Sequence, residues 1–163
     1  MSERTDESTL IRLAAPEDAS AIAAVLRRSF AEYESSYTAE AFNTTISTPD
    51  RIQERMSEGP IWVAVRTGKI VGTVSVVPYA GALYIRGMAV DPEARGSGIG
   101  RELLKRAEEF AALNGLKRLF LSTTPFLSGA IRLYESYGFV RNDEGPQELS
   151  GTPLFTMVKI LGR

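Results

Sequence analysis

A short loop rich in arginine and glycine carries the residue types best suited to binding an anion. Gly96, Gly98 and Gly100 fall within five consecutive residues, and Arg95 and Arg101 stand on either side of them. Glycine lets a ligand reach backbone N–H groups, and the N-terminus of a helix attracts negative charge. Acidic residues are usually favoured in a first helical turn, yet none occurs within this loop. The loop is therefore predicted to bind an anionic group such as a phosphate.

The loop is preceded by a predicted strand and followed by a predicted amphipathic helix. Leu83–Val90 has the apolar density of a strand covered on both faces, and Asp91-Pro92 ends it with turn-forming residues. One helical face then collects apolar residues at the spacing of a buried stripe. These residues are Ile99, Leu103, Leu104, Ala107, Phe110 and Ala111.

Two familiar nucleotide loops have this strand-loop-helix order, and neither fits the spacing. The dinucleotide-binding fingerprint G-x-G-x-x-G, counted from Gly96, would need glycine where the chain has Arg101. A Walker A loop ends in Gly-Lys-Ser/Thr, whereas this chain reads Gly100-Arg101-Glu102.

The loop instead resembles the acyl-CoA loop of the GNAT acetyltransferase superfamily, Arg/Gln-x-x-Gly-x-Gly/Ala. Arg95, Gly98 and Gly100 fill its three defining positions, and the flanking M-A-V-D-P and R-E-L-L segments are also similar to that family. The resemblance covers about Gly72 to Val140 and implies acetyl-CoA as the cofactor. The loop residues that it implies in cofactor binding are Arg95, Gly96, Ser97, Gly98, Ile99, Gly100 and Arg101.

Gly87 lies inside the predicted central strand, where glycine often marks a bulge or a close approach of the backbone. Packing beneath a bulky neighbour is the alternative explanation. In GNAT enzymes this strand carries a bulge and separates from the next strand, and the pantetheine arm pairs with the freed backbone groups. The resemblance therefore implies cofactor contacts at Met88, Ala89 and Val90.

A second segment, from Ala130 to Phe139, resembles the family's A-x-x-L-Y-x-x-x-G-F signature. The resemblance implies that Tyr134 lies near the CoA sulfur and acts as a general acid. A phenol with a pKa of about 10 can protonate a thiolate whose conjugate acid has a pKa of about 8.5. Packing on the sheet is the alternative role for Tyr134. Many members carry Asn where this chain has Leu127.

The general base is left unassigned. Several GNAT enzymes use a Glu at the position of Tyr84, and the chain contains no histidine. The candidates are Glu32, Glu34 and Glu40, or water leading to bulk solvent. The family places its second helical region over the acceptor. The residues predicted to contact the acceptor are Phe30, Tyr33 and Tyr84.

The resemblance implies an acetyl-CoA-dependent N-acyltransferase that acetylates a primary amine of a small molecule, amino acid or peptide. The chain contains no cysteine, which favours direct attack in a ternary complex over a thiol acyl-enzyme. The alternative is a non-catalytic module that binds acyl-CoA as a sensor or structural ligand, which Tyr84 and Leu127 would favour. The acceptor's identity, the acyl-chain preference and the choice between monomer and homodimer are left open.

Composition is that of one globular domain spanning residues 1–163. A net charge of −1 and a pI of about 5.6 do not favour nucleic acid. No apolar run reaches the length of a membrane span, and Met1–Thr9 lacks the regions of a signal peptide. With no histidine or cysteine, no metal site is expected. A cytoplasmic protein is predicted.

The elements that must hold these residues are predicted in the order β-α-α-β-β-β-α-β-α-β-β. Hairpins require antiparallel pairs and single crossover helices favour parallel ones, so an α/β fold with a mixed sheet of about seven strands is predicted. The GNAT resemblance implies the same succession. Ala31–Thr48 is predicted to be irregular, Pro78–Ala82 to be a turn, and the segment between Arg141 and Leu154 to be a polar loop.

Overall fold

A computed structural model describes residues 8–162, so residues 1–7 and residue 163 of the predicted domain lie outside it. The helices are α1 (Ala19–Phe30), α2 (Ala39–Ile46), α3 (Pro49–Met56), α4 (Ile99–Leu113) and α5 (Ser128–Ser136). The strands are β1 (Leu10–Leu13), β2 (Ile61–Arg66), β3 (Lys69–Tyr79), β4 (Ala82–Val90), β5 (Arg118–Thr123), β6 (Val140–Asn142), β7 (Glu148–Leu149), β8 (Thr152–Pro153) and β9 (Phe155–Ile160).

Seven of the strands form one mixed sheet in the order β1-β2-β3-β4-β5-β9-β6. Strands β4 and β5 pair in parallel, and the other neighbouring pairs are antiparallel. Strands β7 and β8 form a separate hairpin. The predicted α/β fold with a mixed sheet of about seven strands is confirmed.

Helices cover both faces of the sheet. The apolar stripe of α4, including Leu103 and Leu104, packs with α5 against the inward residues of β3, β4 and β5. On the opposite face, Ile22 of α1 and Ile52 of α3 pack against Val63 of β2. The sheet is therefore the middle layer, and anything that reaches it must enter where two strands separate.

The predicted turn at Pro78–Ala82 is wrong at its start, because Pro78 and Tyr79 continue β3. Only Ala80 and Gly81 form the turn, with φ angles of 51° and 79°, the left-handed geometry that two-residue hairpins favour. Pairing of β2 with β3 ends at Ser75. Proline is tolerated in the strand at Pro78 because no neighbour on that side needs its missing N–H group.

The prediction that Ala31–Thr48 is irregular is also wrong, because this segment contains a 3₁₀ helix (Ala31–Ser36) and α2. Thr38 caps α2 by accepting a hydrogen bond from the Ala41 N–H at 3.1 Å. The predicted polar loop contains the β7–β8 hairpin, where the Thr152 hydroxyl accepts from the Thr38 N–H at 2.9 Å. The observed order is therefore β-α-α-α-β-β-β-α-β-α-β-β-β-β.

Candidate functional site

Strands β4 and β5 part after a short stretch of pairing. They are in register only at Leu83 with Leu119 and at Tyr84 with Phe120, although β4 continues to Val90. Among the residues that the structure describes, no strand pairs with the rest of β4 on this side. The backbone of β4 beyond Tyr84 is thus available to an extended ligand.

A β-bulge lies in the part of β4 beyond Tyr84, where β4 pairs with β3 but not with β5. Thr73 pairs with Ala89 and Ser75 with Arg86, so Gly87 and Met88 together lie opposite one residue of β3. Gly87 has a φ of 59°, which glycine adopts without steric cost. The prediction that Gly87 marks a bulge is confirmed.

A cavity of about 660 Å³ lies at the end of the parted strands, between the end of α1, the loop before α4, and α5. Its lining includes three arginines, Arg95, Arg101 and Arg132, and no acidic residue within the described part of the chain. Nine of the ten predicted cofactor-binding residues line it: Met88, Ala89, Val90, Arg95, Gly96, Gly98, Ile99, Gly100 and Arg101. The tenth, Ser97, donates its hydroxyl to the Ala94 carbonyl at 2.6 Å instead.

The loop before α4 exposes helix N–H groups to this cavity. Gly98 is the N-cap with a φ of 85°, and no side chain accepts from the first turn. A methyl group at Gly96 or Gly98 would have no atom within 4 Å. The N–H groups of the first turn of a helix have no intrahelical partner, so they are placed to bind an anion.

Packing gives Gly100 a second reason to be glycine. A methyl group there would lie 2.7 Å from Cδ2 of Leu133 and 3.5 Å from Cε of Met88. A side chain at Gly100 would therefore require Leu133 to move, and the predicted role of Gly100 in ligand access stays a prediction, since Gly100 also lines the cavity.

Arg95 connects the loop to α1. Its guanidinium donates to Oε1 of Glu32 at 2.9 Å and to the Ser29 carbonyl at 2.9 Å. The Ser29 hydroxyl in turn donates to the Val90 carbonyl at 2.6 Å. The end of α1 is thereby fixed against the end of β4, and the Val90 carbonyl already has one donor.

Tyr134 of α5 lines the cavity and is 8% exposed. Burial, with a smaller contribution from nearby Tyr37, raises the pKa of its phenol to about 12. Its ring packs 5.8 Å from the ring of Phe139. The hydroxyl is therefore protonated at neutral pH, on a residue that lines the cavity.

Of the three residues predicted to contact the acceptor substrate, two line the cavity and one does not. Phe30 and Tyr33 line the cavity, and Tyr33 packs 6.0 Å from Phe126. Tyr84 lies outside its lining, where its ring stacks on Phe120 at 5.0 Å. None of the candidate bases, Glu32, Glu34 and Glu40, lines the cavity.

Eight of the cavity residues had no assigned role from sequence, and Arg132 and Leu127 are two of them. Arg132 lies in the segment of the Tyr134 signature, and only the packing of α5 turns it toward the cavity. Leu127, at the family's Asn position, also lines the cavity but offers no side-chain hydrogen bond. No group of three or more Asp or Glu residues that could hold a metal is found within residues 8–162.

A model of the acetyltransferase (GNAT) family matches residues 22–139. The matched segment contains the parted strands, the glycine loop and Tyr134. The chain belongs to the GNAT family. Within residues 8–162, no α-helix combines the length and apolar character that a membrane span requires.

Relatives in the GNAT family support the assignment over different lengths. The "Uncharacterized N-acetyltransferase YjgM" of Escherichia coli strain K12 is 33% identical over 151 residues, which are 88% of this chain and 89% of that protein. The N-acetylaspartate synthetase of Danio rerio is 35% identical over 111 residues, 67% of this chain. The match covers 39% of that synthetase.

The fold is also that of solved GNAT structures. The PaiA N-acetyltransferase of Thermoplasma acidophilum, determined in complex with coenzyme A, superposes with a TM-score of 0.82 at 20% identity. The superposition covers 94% of this chain and 99% of that one.

Proposed function

We propose that this protein transfers an acetyl group from acetyl-CoA to a primary amine by direct attack within a ternary complex. The observation that carries the proposal is a single cavity that joins the N-terminus of α4, the unpaired backbone of β4 and the buried hydroxyl of Tyr134. These are an anion site, a partner for an extended amide chain and a proton donor, all in one cavity.

The residues that line the cavity suit the chemical parts of CoA. The N–H groups after Gly98, with Arg101 and Arg132 nearby, would hold the phosphates. The backbone of Met88 and Ala89 would pair with the pantetheine amides, as an added strand pairs with a sheet edge. A PaiA N-acetyltransferase of the same fold was crystallised with coenzyme A, which supports coenzyme A as the ligand.

Acetyl-CoA supplies an acetyl thioester, and the protein acts on both sides of the bond that breaks. An N–H group of the β4 bulge near Met88 would stabilise the negative charge that develops on the thioester oxygen. The new C–N bond forms as the C–S bond breaks, and the Tyr134 hydroxyl would give its proton to the departing sulfur. Tyr134 then regains a proton from solvent.

Removal of the amine's proton is assigned to water. Glu32 is paired with Arg95, and no carboxylate among the described residues lines the cavity. The amine therefore reacts as the neutral form that binds, or loses its proton to solvent. A purely ligand-binding role is not favoured, because Tyr134 lies beside the cavity and YjgM and the synthetase bear the names of acetyltransferring enzymes.

The test combines binding with turnover. Isothermal titration should give a saturable signal with acetyl-CoA, and thiol release should appear with at least one member of a panel of amines, amino acids and peptides. No binding at millimolar cofactor would overturn the cofactor assignment. Tight binding without turnover on any acceptor would identify the sensor instead.

We further propose that the protein is cytoplasmic and that its acceptor is a small molecule or a peptide. Cell fractionation tests the location, and light scattering distinguishes the monomer from a homodimer.

A further inference from the structure

An arginine of α3 lies against the bulge of β4, outside the cavity. Nη1 of Arg55 is 3.3 Å from the position that a methyl group at Gly87 would occupy. Its Nε is buried, and among residues 8–162 that atom has no hydrogen-bond partner. A buried guanidinium atom without an acceptor is costly, so this position calls for an explanation.

The charges around Arg55 do not supply its counterion. Arg86 and Arg51 lie close enough to lower the pKa of Arg55, although burial lowers it more. The acidic group near it is Glu58, and Glu58 already pairs with Arg86. The surroundings of Arg55 are therefore positive and favour an anion.

Neighbouring polar groups complete a small site. Nε of Arg86 donates to the Ser75 hydroxyl at 3.4 Å, and Tyr84 is near enough to Arg55 to affect its pKa. We call Arg55, Arg86, Ser75 and Tyr84 the Arg55 cluster. Two guanidiniums with hydroxyl groups beside them are the donors that recognise a carboxylate.

The Arg55 cluster reaches β4 from the face opposite to α4 and α5. Helix α3 packs with α1 on one face of the sheet, whereas α4 and Tyr134 lie on the other. Because β4 and β5 part beyond Tyr84, ligands from the two faces can meet at the strand. The cluster touches Gly87, the residue immediately before the N–H group of Met88.

We propose that the Arg55 cluster binds the carboxylate of the acceptor, so that the substrates are free amino acids acetylated on the amine next to that carboxylate. This inference rests on the proposed acetyl transfer. One carbon atom separates the carboxylate from the amine in an α-amino acid, and one strand residue spans about 3.3 Å. A carboxylate at Gly87 would therefore place the amine beside Met88, where the thioester is proposed to lie.

The first experiment compares amino acids with their α-amides in steady-state thiol release. The amide keeps the amine and side chain but removes the negative charge. We expect the wild-type protein to prefer the acid over its amide by about 10-fold or more in kcat/KM. Equal kcat/KM for acids and amides across the panel would overturn the inference.

The second experiment substitutes the arginine. Arg55→Gln should lower kcat/KM for amino acids by about 10- to 100-fold, mainly through KM, and should leave the amides unchanged. Arg55→Lys should recover part of the loss because it keeps the charge. The matched control is Arg118→Gln, which removes an exposed charge at the start of β5 and should preserve the preference for acids. Equal losses for acids and amides in Arg55→Gln would show a structural role only.

A binding measurement separates this inference from the proposed function. N-acetylated amino acids and their amides are titrated into the CoA-saturated protein, which requires no turnover. We expect the acids to bind more tightly than the amides, and Arg55→Gln to abolish the difference. If no amine is acetylated, the proposed function fails, while this titration still decides whether Arg55 binds a carboxylate. No difference between acids and amides would reject the site.

Discussion

At the scale of single residues, burial determines which chemistry Tyr134 can perform. The same burial that raises its pKa to about 12 keeps the phenol protonated at neutral pH. The raised pKa means that Tyr134 cannot serve as a base at neutral pH, and it also makes the phenol a weaker acid toward a thiolate. The general-acid role of Tyr134 therefore stays a prediction, which its Phe variant tests.

Tyr134→Phe removes only the hydroxyl. If Tyr134 protonates the leaving sulfur, kcat should fall by about 100-fold or more, and the Kd of acetyl-CoA should barely change because the ring remains. Single-turnover kinetics and titration on one preparation measure both quantities.

Tyr137→Phe is the matched control for that variant. Tyr137 lies three residues further along, outside the cavity lining, with Lys159 4.2 Å from its ring. Its turnover should equal that of the wild type. Unchanged kcat in Tyr134→Phe would leave Tyr134 with a packing role.

Gly98→Ala tests the loop. A methyl group there meets no neighbour within 4 Å, but the φ of 85° is strained for alanine, so stability should fall by about 1 kcal/mol. The added methyl lies beside the helix N–H groups, and the Kd of acetyl-CoA should rise about 10-fold or more.

Gly115→Ala provides the comparison, because it has a φ of 70° and equally open surroundings but follows α4 instead of preceding it. Both variants should lose similar stability in urea denaturation. An unchanged Kd in Gly98→Ala would contradict the phosphate assignment.

At the scale of elements, the contact between α4 and α5 holds the two ligand-binding helices in register. Gly100→Ala places a methyl group 2.7 Å from Cδ2 of Leu133, so we expect a loss of about 1–3 kcal/mol of stability by overpacking. Leu133→Ala should also destabilise, by leaving a space at the same contact.

The double variant should recover part of both losses, because each change compensates for the other. A double-mutant cycle in urea denaturation measures this coupling. Additive losses would mean that the two helices adjust independently and that the contact does not fix Gly100 as glycine.

The sequence predicted the elements that have a signal in their own residues and missed those that depend on packing against the rest of the chain. The glycine inside β4 indicated a bulge or a close backbone approach, and the GNAT resemblance favoured the bulge over packing beneath a bulky neighbour. Helix α2 was missed because Asn43, Thr44 and Thr45 have low helix propensity. Its stability comes from the buried Ala41 and Phe42, although capping by Thr38 was a readable signal.

Only the site residues that belong to a recognised sequence motif could be predicted. The loop and Tyr134 follow from the GNAT resemblance, whereas Arg132 and Arg55 depend on which way α5 and α3 rotate against the sheet. No local pattern determines that rotation, since both residues read as ordinary solvent-facing arginines of a helix. Tyr84 was predicted to contact the acceptor, and in the structure it lies outside the cavity lining and belongs to the Arg55 cluster.

At the scale of the whole molecule, stability should decline at alkaline pH. Tyr134 has a pKa of about 12 in the fold against 10 when unperturbed, so its contribution is complete below pH 10 and lost as pH rises toward 12. The expected loss from this residue is roughly 2–3 kcal/mol.

Urea denaturation at several pH values between 9 and 11 measures the first half of this decline, a loss of about 1 kcal/mol by pH 11. Tyr134→Phe should flatten it without abolishing it, because burial also raises the pKa of Tyr37 and Tyr137. Tyr79→Phe, at a residue 66% exposed, should leave the curve unchanged. An identical decline in Tyr134→Phe would refute the assignment to this phenol.

The parting of β4 and β5 gives the sheet an unprotected edge in its interior. Exposed strand edges invite other extended chains to pair with them, which is a common route to aggregation. The pantetheine arm, bound as proposed, would occupy this edge and add stability in proportion to RT ln(1 + [L]/Kd). Bound acetyl-CoA would then protect the enzyme from aggregation. A cell short of cofactor would lose soluble protein as well as reaction rate.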